Sequence, residues 1–288
     1  MHNEMSQYRI AYANADMLLL YGVKIMLKER IKNKEKLVGM YVQLCDISIS
    51  RIAALAGYDF VWVDTEHSFM SYETLLGHIV AIKAEGVPVI VRAPQNDLTA
   101  TKKILEMGVD GIIFPMIRSA KEADTVVSNV LYPPFGKRGF GPMNAIDYGY
   151  KNPYDYIKTS MDNLSIFIQI EHKDAVDNLD EIIKNPSIDG YIIGPNDLSG
   201  SYNMLGGFLS DKITDVIKYI VEKLHQANKY VGIASGGYST EILQHWSSFG
   251  VEMLSAGADF DFLRDGAKTN RVNLDRIHKQ DACLLGIC

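Results

Sequence analysis

A histidine, an arginine and two carboxylates stand just past four apolar runs of this 288-residue chain. The four strings are Asp64-Thr65-Glu66-His67, Val91-Arg92-Ala93-Pro94, Gln169-Ile170-Glu171 and Gly194-Pro195-Asn196-Asp197-Leu198. They close runs at 60–63, 87–90, 166–168 and 191–193, which read as buried strands. Ionisable groups at the C-terminal ends of successive parallel strands are what an α/β barrel uses for catalysis. This set could assemble a base, a cation and a metal site.

Glu171 and Asp197 would stand at two strand ends one repeat apart. Side by side they repel, unless a cation lies between them. A hard divalent ion such as Mg²⁺ or Mn²⁺ suits oxygen ligands, with Co²⁺ also compatible. The plainer alternative is that Asp197 caps a helix beginning at Leu198. His67 is a candidate general base, with Asp64 or Glu66 to orient it, or else an ordinary loop histidine. Arg92 could stabilise an enolate or a carboxylate, or could only pair with Asp64. Gln169 lies two residues before Glu171, so both face the same side of their strand, where the amide could donate to an oxyanion. Backbone amides around Gly194, Pro195, Asn196 and Asp197 suit an anion if a helix starts there.

A βα rhythm positions these groups. Strands are expected at 38–44, 59–64, 87–92, 111–116, 164–171, 188–194, 230–235 and 251–257. Helices are expected at 50–57, 72–85, 98–107, 120–130, 176–184, 212–227, 240–249 and from 262 onward. A charged helix at 24–36 leads in. The segment 132–142 is too rich in Gly and Pro for regular structure and reads as a lid, with Lys137 and Arg138 able to close over an anionic substrate. Eight continuous apolar strands alternating with helices predict a (β/α)8 TIM barrel. The rival, a doubly wound sheet, lacks Gly-x-Gly-x-x-Gly after its first strand. The expected division is an extension at 1–30, a barrel at 31–270 and a helical tail at 271–288.

Composition narrows the function. The net charge of −6 without a basic run argues against nucleic acid or an anionic membrane as partner. No apolar run is long enough to span a bilayer, and the N-terminus lacks the pattern of a signal peptide, so a cytoplasmic protein is expected. Cys45, Cys283 and Cys288 are odd in number and lack metal spacing, which fits free thiols in a reducing cytosol.

Taken in order, these strings resemble the metal-dependent (class II) pyruvate aldolases typified by 2,4-dihydroxyhept-2-ene-1,7-dioate aldolase, among the citrate-lyase-β-like barrels. The resemblance runs through Asp64-x-Glu66-His67, Val91-Arg92, Phe114-Pro115-Met116, Tyr132-Pro133-Pro134 with Arg138-Gly139, Gln169-x-Glu171 and Gly194-Pro195-x-Asp197-Leu198, over roughly residues 36–265. It implies cleavage of a 4-hydroxy-2-oxo acid to pyruvate and an aldehyde. Glu171 and Asp197 would hold the metal, amides around Asn196 and Asp197 would take the substrate carboxylate, and Arg92 would stabilise the enolate. His67, acting through Asp64 or a metal-bound water, would move the proton. An acid placed as Glu106 would reach the histidine of a neighbouring subunit, where an aspartate is more usual. Ala93-Pro94-Gln95 and Ser235-Gly236-Gly237-Tyr238 depart from the family pattern, on the aldehyde side or at subunit contacts. The resemblance also implies a homo-trimer or homo-hexamer that exchanges its last helix. A lysine Schiff base would be the other route, but Lys83, Lys102 and Lys103 fall in helices. Two readings from other classes stand beside it: an acyl-CoA lyase, which needs a basic groove, and a barrel that only binds a small acid.

Overall fold

Parity along the strands decides which side chains reach the barrel axis. In the computed structural model, which describes residues 26–284, eight parallel strands close into one barrel in chain order. They are β1 (Leu37–Val42), β2 (Phe60–Asp64), β3 (Val89–Arg92), β4 (Gly111–Phe114), β5 (Ser165–Ile170), β6 (Gly190–Ile193), β7 (Tyr230–Ala234) and β8 (Met253–Ala258). Alternate residues Phe60 and Trp62, Ile90, Ile113, Phe167 and Ile192 form the interior cluster. Continuing that parity by two residues brings Asp64, Arg92, Gln169 and then Glu171 to the axis at the C-terminal mouth. The other parity packs outward against the helices: Val61, Val63, Val91, Ile168 and Ile193 belong to the second core.

Glycines make room for the interior rings. A Cβ on Gly39 would overlap the Phe60 ring, and one on Gly190 would lie 2.7 Å from that of Phe167. Bulky residues on some strands thus fill space left by glycines on their neighbours.

Most connections match expectation within two or three residues. The helices are α1 (Leu27–Lys32), α2 (Ile47–Leu55), α3 (Tyr72–Ala84), α4 (Leu98–Glu106), α5 (Ala120–Val130), α6 (Pro153–Asn163), α7 (Lys173–Asp177), α8 (Leu179–Ile182), α9 (Pro195–Ser201), α10 (Asp211–Gln226), α11 (Thr240–Ser247) and α12 (Asp259–Leu284). The helix expected at 176–184 is two short pieces broken at Asn178. α6 was not anticipated; Asn152 caps it through the amides of Tyr154 and Asp155, and Pro153 opens it. The tail boundary expected at 270 falls inside α12, which is continuous. Residues 1–25, most of the expected extension, and Cys288 lie outside the described residues. No helix among the described residues is long and apolar enough to cross a membrane.

α1 closes the lower, N-terminal end of the barrel, with Leu27 and Ile31 joining the interior cluster. Its Lys28 is tied there: Nζ donates to the Leu164 carbonyl at 2.9 Å and pairs with Asp189 at 3.0 Å. Removing one partner of a buried pair strands the other charge. Lys28→Met is therefore expected to lower stability by about 3 kcal/mol, measured as a fall in the denaturant midpoint, and adding Asp189→Asn should restore most of it.

Candidate active site

The mouth of the barrel holds a cleft of about 340 Å³, lined by residues from the ends of β1, β2, β3, β5, β6, β7 and β8. Asp64 and Arg92 are Cα partners across β2 and β3. That register makes a fork: Arg92 Nε donates to Asp64 Oδ1 at 2.9 Å and Nη2 to Oδ2 at 2.6 Å. Gln43 Nε2 donates to the same Oδ2 at 2.6 Å, and the Glu66 amide to Oδ1 at 3.0 Å. Burial alone would raise the Asp64 carboxyl, but Arg92, Gln43 and the Glu66 amide outweigh it and hold Asp64 below the usual carboxylate range. Asp64 is thus an ionised anchor that fixes the guanidinium in the mouth.

The remaining Arg92 nitrogen, Nη1, lies 3.0 Å from Glu66 Oε2 and donates to Gln169 Oε1 at 3.3 Å. Gln169 passes the contact on, since its Nε2 donates to Glu171 Oε2 at 2.6 Å. Glu171 Oε1 accepts the Met116 amide at 2.7 Å. The parity argument for Gln169 and Glu171 therefore holds. Burial pushes the Glu171 carboxyl up to about 8; the Met116 amide opposes this, and the nearby charge of Asp197 adds to it.

Gly194 shapes the same spot. A Cβ there would run into Glu171 Oε2, so any larger residue would drive the carboxylate out of place. It is also the N-cap of α9, which begins at Pro195, earlier than expected, so Asp197 lies inside the first turn instead of capping a helix at Leu198. Asn196 and Asp197 line the cleft with it, both exposed.

Glu171 and Asp197 could hold a hard divalent cation. Each Glu171 oxygen accepts one hydrogen bond and keeps a lone pair. A buried carboxylate with raised proton affinity beside a second acid is also where positive charge is most favoured. Among the described residues no group of three or more His, Cys, Asp or Glu side chains could hold a metal, so the set amounts to two carboxylates.

The structure assembles part of the expected set and leaves part outside it. His67 lines the cleft at its rim, its side chain 57% exposed, with Nε2 3.7 Å from Glu66 Oε2. Asp64 does not orient its ring; it takes the His67 backbone amide at 3.4 Å and spends its strong bonds on Arg92. Glu106 ends α4 at the lower end of the barrel, beside Gly141. Its own chain does not bring it to the mouth. The 132–142 segment does not close over the cleft of its own chain. It follows α5 and leads toward β5, so it lies at the opposite end, where Arg138 is buried with Nη2 on the Tyr156 hydroxyl at 3.2 Å and Lys137 is exposed. A larger cavity of about 540 Å³ also lies at that end. Its Lys83 is occupied by the Gly108 carbonyl and Asp110, at 2.7 and 3.1 Å, and is no free amine.

Gln43 and the Met116 amide are members that sequence reasoning missed. Gln43 followed the first strand at the same parity as Tyr41 and was legible in principle. Met116 contributes only backbone, at φ 54°, and leaves no signal in its side chain.

Comparison with known proteins adds the following. The HpcH/HpaI aldolase/citrate lyase family matches residues 37–259. A 2-keto-3-deoxy-L-rhamnonate aldolase of Escherichia coli (strain K12) is 28% identical over 232 residues, 81% of this chain and 86% of that protein. The crystal structure of an HpcH/Hpal aldolase/citrate lyase family protein from Burkholderia cenocepacia J2315 matches with a TM-score of 0.80 at 26% identity, over 88% of this chain and 98% of that one. That of an HpcH/HpaI aldolase from Desulfitobacterium hafniense DCB-2 gives 0.80 at 26%, over 87% and 97%.

Proposed function

The chain belongs to the HpcH/HpaI aldolase/citrate lyase family and is a carbon–carbon lyase, and from that premise we propose that it cleaves a 4-hydroxy-2-oxo acid to pyruvate, or a close 2-oxo acid, and an aldehyde with a divalent metal. The observation that carries this reading is the buried, proton-avid Glu171 in one cleft with a guanidinium fixed by Asp64. Glu171 and Asp197 would hold the cation, which when bound supplies Lewis acidity toward the carboxylate and keto oxygens of the substrate.

The protein's own groups do the rest. Breaking the C3–C4 bond sends its electron pair to C3 and on to the keto oxygen, while the 4-hydroxyl loses its proton and C4 becomes the aldehyde carbon. Arg92 meets the charge on the keto oxygen, and because Asp64 already holds it, no reorganisation is needed when that charge appears. His67 at the rim takes the hydroxyl proton, with Glu66 beside its Nε2. The amides of Asn196 and Asp197 in the first turn of α9 face the substrate carboxylate. An acyl-CoA substrate fits less well, since Arg92 is the one basic lysine or arginine lining the cleft among the described residues.

The test is deuterium exchange into the pyruvate methyl group, followed by NMR with Mg²⁺ or Mn²⁺ and then with a chelator. Exchange that needs the metal is the expected result. Full exchange in chelator would overturn the metal, and none under either condition would overturn the pyruvate enolate.

Assembly belongs to the same reading. α12 exposes Leu263, Leu274 and Ile277 on one side, an apolar surface suited to a second copy, and Glu106 does not line the cleft at the mouth of its own chain. A homo-trimer or homo-hexamer exchanging this helix is expected by light scattering; a monomer at working concentration would overturn it.

A further inference from the structure

Arg138 is a buried cation that the mouth of the barrel does not use. The residue is 2% exposed. Its Nη2 donates to the Tyr156 hydroxyl at 3.2 Å, and the guanidinium lies 4.5 Å from the centre of the Tyr132 ring and 5.7 Å from that of Tyr156. Nε and Nη1 are buried and have no hydrogen-bond partner among the described residues, and no carboxylate among them pairs with this side chain. A guanidinium cannot shed its proton to relieve the cost. The two rings hold it by their faces but do not neutralise it. A charge withdrawn from water in this way is expensive unless a counter-charge meets it.

Arg138 borders a cavity of about 240 Å³ at the lower end of the barrel, which shares no lining residue with the cleft. α1 contributes Lys28 and Lys32 to its wall, the ends of α5 and α6 close its sides, and Ser187 and Asp189 come from the turn before β6. The space would hold about eight waters, or one small oxyanion with part of its hydration. Lys28 is committed to Asp189 at 3.0 Å, and Asp189 also takes the Ile166 amide at 2.8 Å. That leaves Arg138 and the exposed Lys32 against one further acid, the exposed Asp162, so the lining is positive on balance.

The competing account is that helix ends alone compensate Arg138. Carbonyls at the C-terminal ends of α5 and α6 do draw positive charge. Three carbonyls there are already engaged: Leu131 accepts the Arg138 amide at 2.9 Å, Ser160 the Leu164 amide at 3.1 Å, and Leu164 the Lys28 ammonium at 2.9 Å. None of them takes Nε or Nη1.

We propose that this cavity binds a small oxyanion of the phosphate or sulfate class, with Arg138 as its buried counter-charge and Lys32 as the cation at its edge. Arginine suits such a ligand because its planar N–H groups match paired oxygens. The site is separate from the reaction at the mouth and stands whether or not the aldolase reading does. Arg138 thus keeps the anion-binding role that its charge suggests in the sequence, at the opposite end of the barrel.

Inorganic phosphate is the probe, added to the full chain as it assembles in solution, in chelator and at an ionic strength held constant with chloride. The melting temperature should rise with the logarithm of phosphate concentration, as for any ligand of the folded state, and the ³¹P line should broaden. Sulfate should compete. Two variants that leave Arg138 in place carry the test. Lys32→Glu, on an exposed helix position, should weaken the phosphate response about fivefold. Ser187→Asp puts a carboxylate in the lining, so it should melt higher than wild type without phosphate and lose the response to it. Glycerol phosphate beside inorganic phosphate tells a free ion from the phosphoryl end of a larger molecule, and binding of either meets the proposal. Equal melting in phosphate and in chloride would overturn it in favour of the helix ends. So would a response that both variants keep and Arg92→Lys loses, since the ion would then sit at the mouth.

Discussion

Arg92→Lys should remove most of the cleavage activity while leaving a folded barrel. The lysine keeps the charge but cannot make the fork, in which Nε and Nη2 meet the two oxygens of Asp64 at 2.9 and 2.6 Å. A point charge on a flexible stem would have to choose between Asp64 and the developing oxyanion. Loss of one preorganised donor at such a site costs about 10²–10³ in kcat, roughly 3–4 kcal/mol. The loss should fall on kcat more than on KM, because the charge that Arg92 would meet exists fully only as the bond breaks. Stability should also fall, since Asp64 is completely buried and loses part of its compensation. Arg92→Met should cost more stability still, because Asp64 then has no cation. Steady-state kinetics on any accepted 4-hydroxy-2-oxo acid, with denaturant melts in parallel, check both effects. A kcat within threefold of wild type for Arg92→Lys would show that the arginine is only a structural partner of Asp64, the alternative that its position in the sequence left open.

How much of this was legible follows from what kind of information each feature needs. The strands were legible because both faces of each are covered, which leaves continuous apolar runs ending in polar residues. The pairing of Gln169 with Glu171 was legible because it needs only a two-residue period. The Asp64–Arg92 fork needed the register of two strands, which the strings suggest but do not fix. α6 was missed because its core-facing stripe is thin, Ser160 being its one buried residue, although Asn152-Pro153 with Asp155 carried the signature of a helix start.

The misplaced lid has a different cause. Length and Gly/Pro content identify a long connection, but not which end of the barrel it lies at. In this fold only connections that leave a strand reach the mouth, and the 132–142 segment leaves a helix. The same topology puts Glu106 at the lower end of α4. A resemblance can carry a residue's role across a subunit boundary where a single chain has no geometry for it. The Met116 amide marks the opposite limit, since a backbone donor has no residue type to read.

Glu171→Gln is expected to erase a pH dependence of stability along with the response to metal. The sign follows from the carboxyl being raised from 4.5 to about 8 by burial. The folded state then holds a proton that the unfolded chain releases, so folding is favoured most below pH 4.5 and loses stability as pH rises toward about 8. This is opposite to the usual behaviour of a paired carboxylate such as Asp64, which stabilises the fold above its unfolded value and loses that contribution on acidification. A divalent cation on Glu171 and Asp197 would replace the proton. Its apparent affinity should fall about tenfold for each pH unit below 8, because binding must then displace that proton. Thermal melts from about pH 5 to about pH 8.5 in chelator should therefore decline for the wild type. With Mn²⁺ present the decline should flatten, with the gain largest at the alkaline end. Glu66 and Asp189 are also raised by burial, so the quantity to read is the difference between wild type and Glu171→Gln. Glutamine keeps the shape and can still accept the Met116 amide, but it cannot bind the proton or the metal as a carboxylate does. Identical pH curves for the two proteins would mean that Glu171 stays ionised in the cleft without a cation. An equal gain from Mn²⁺ in both would place the metal elsewhere.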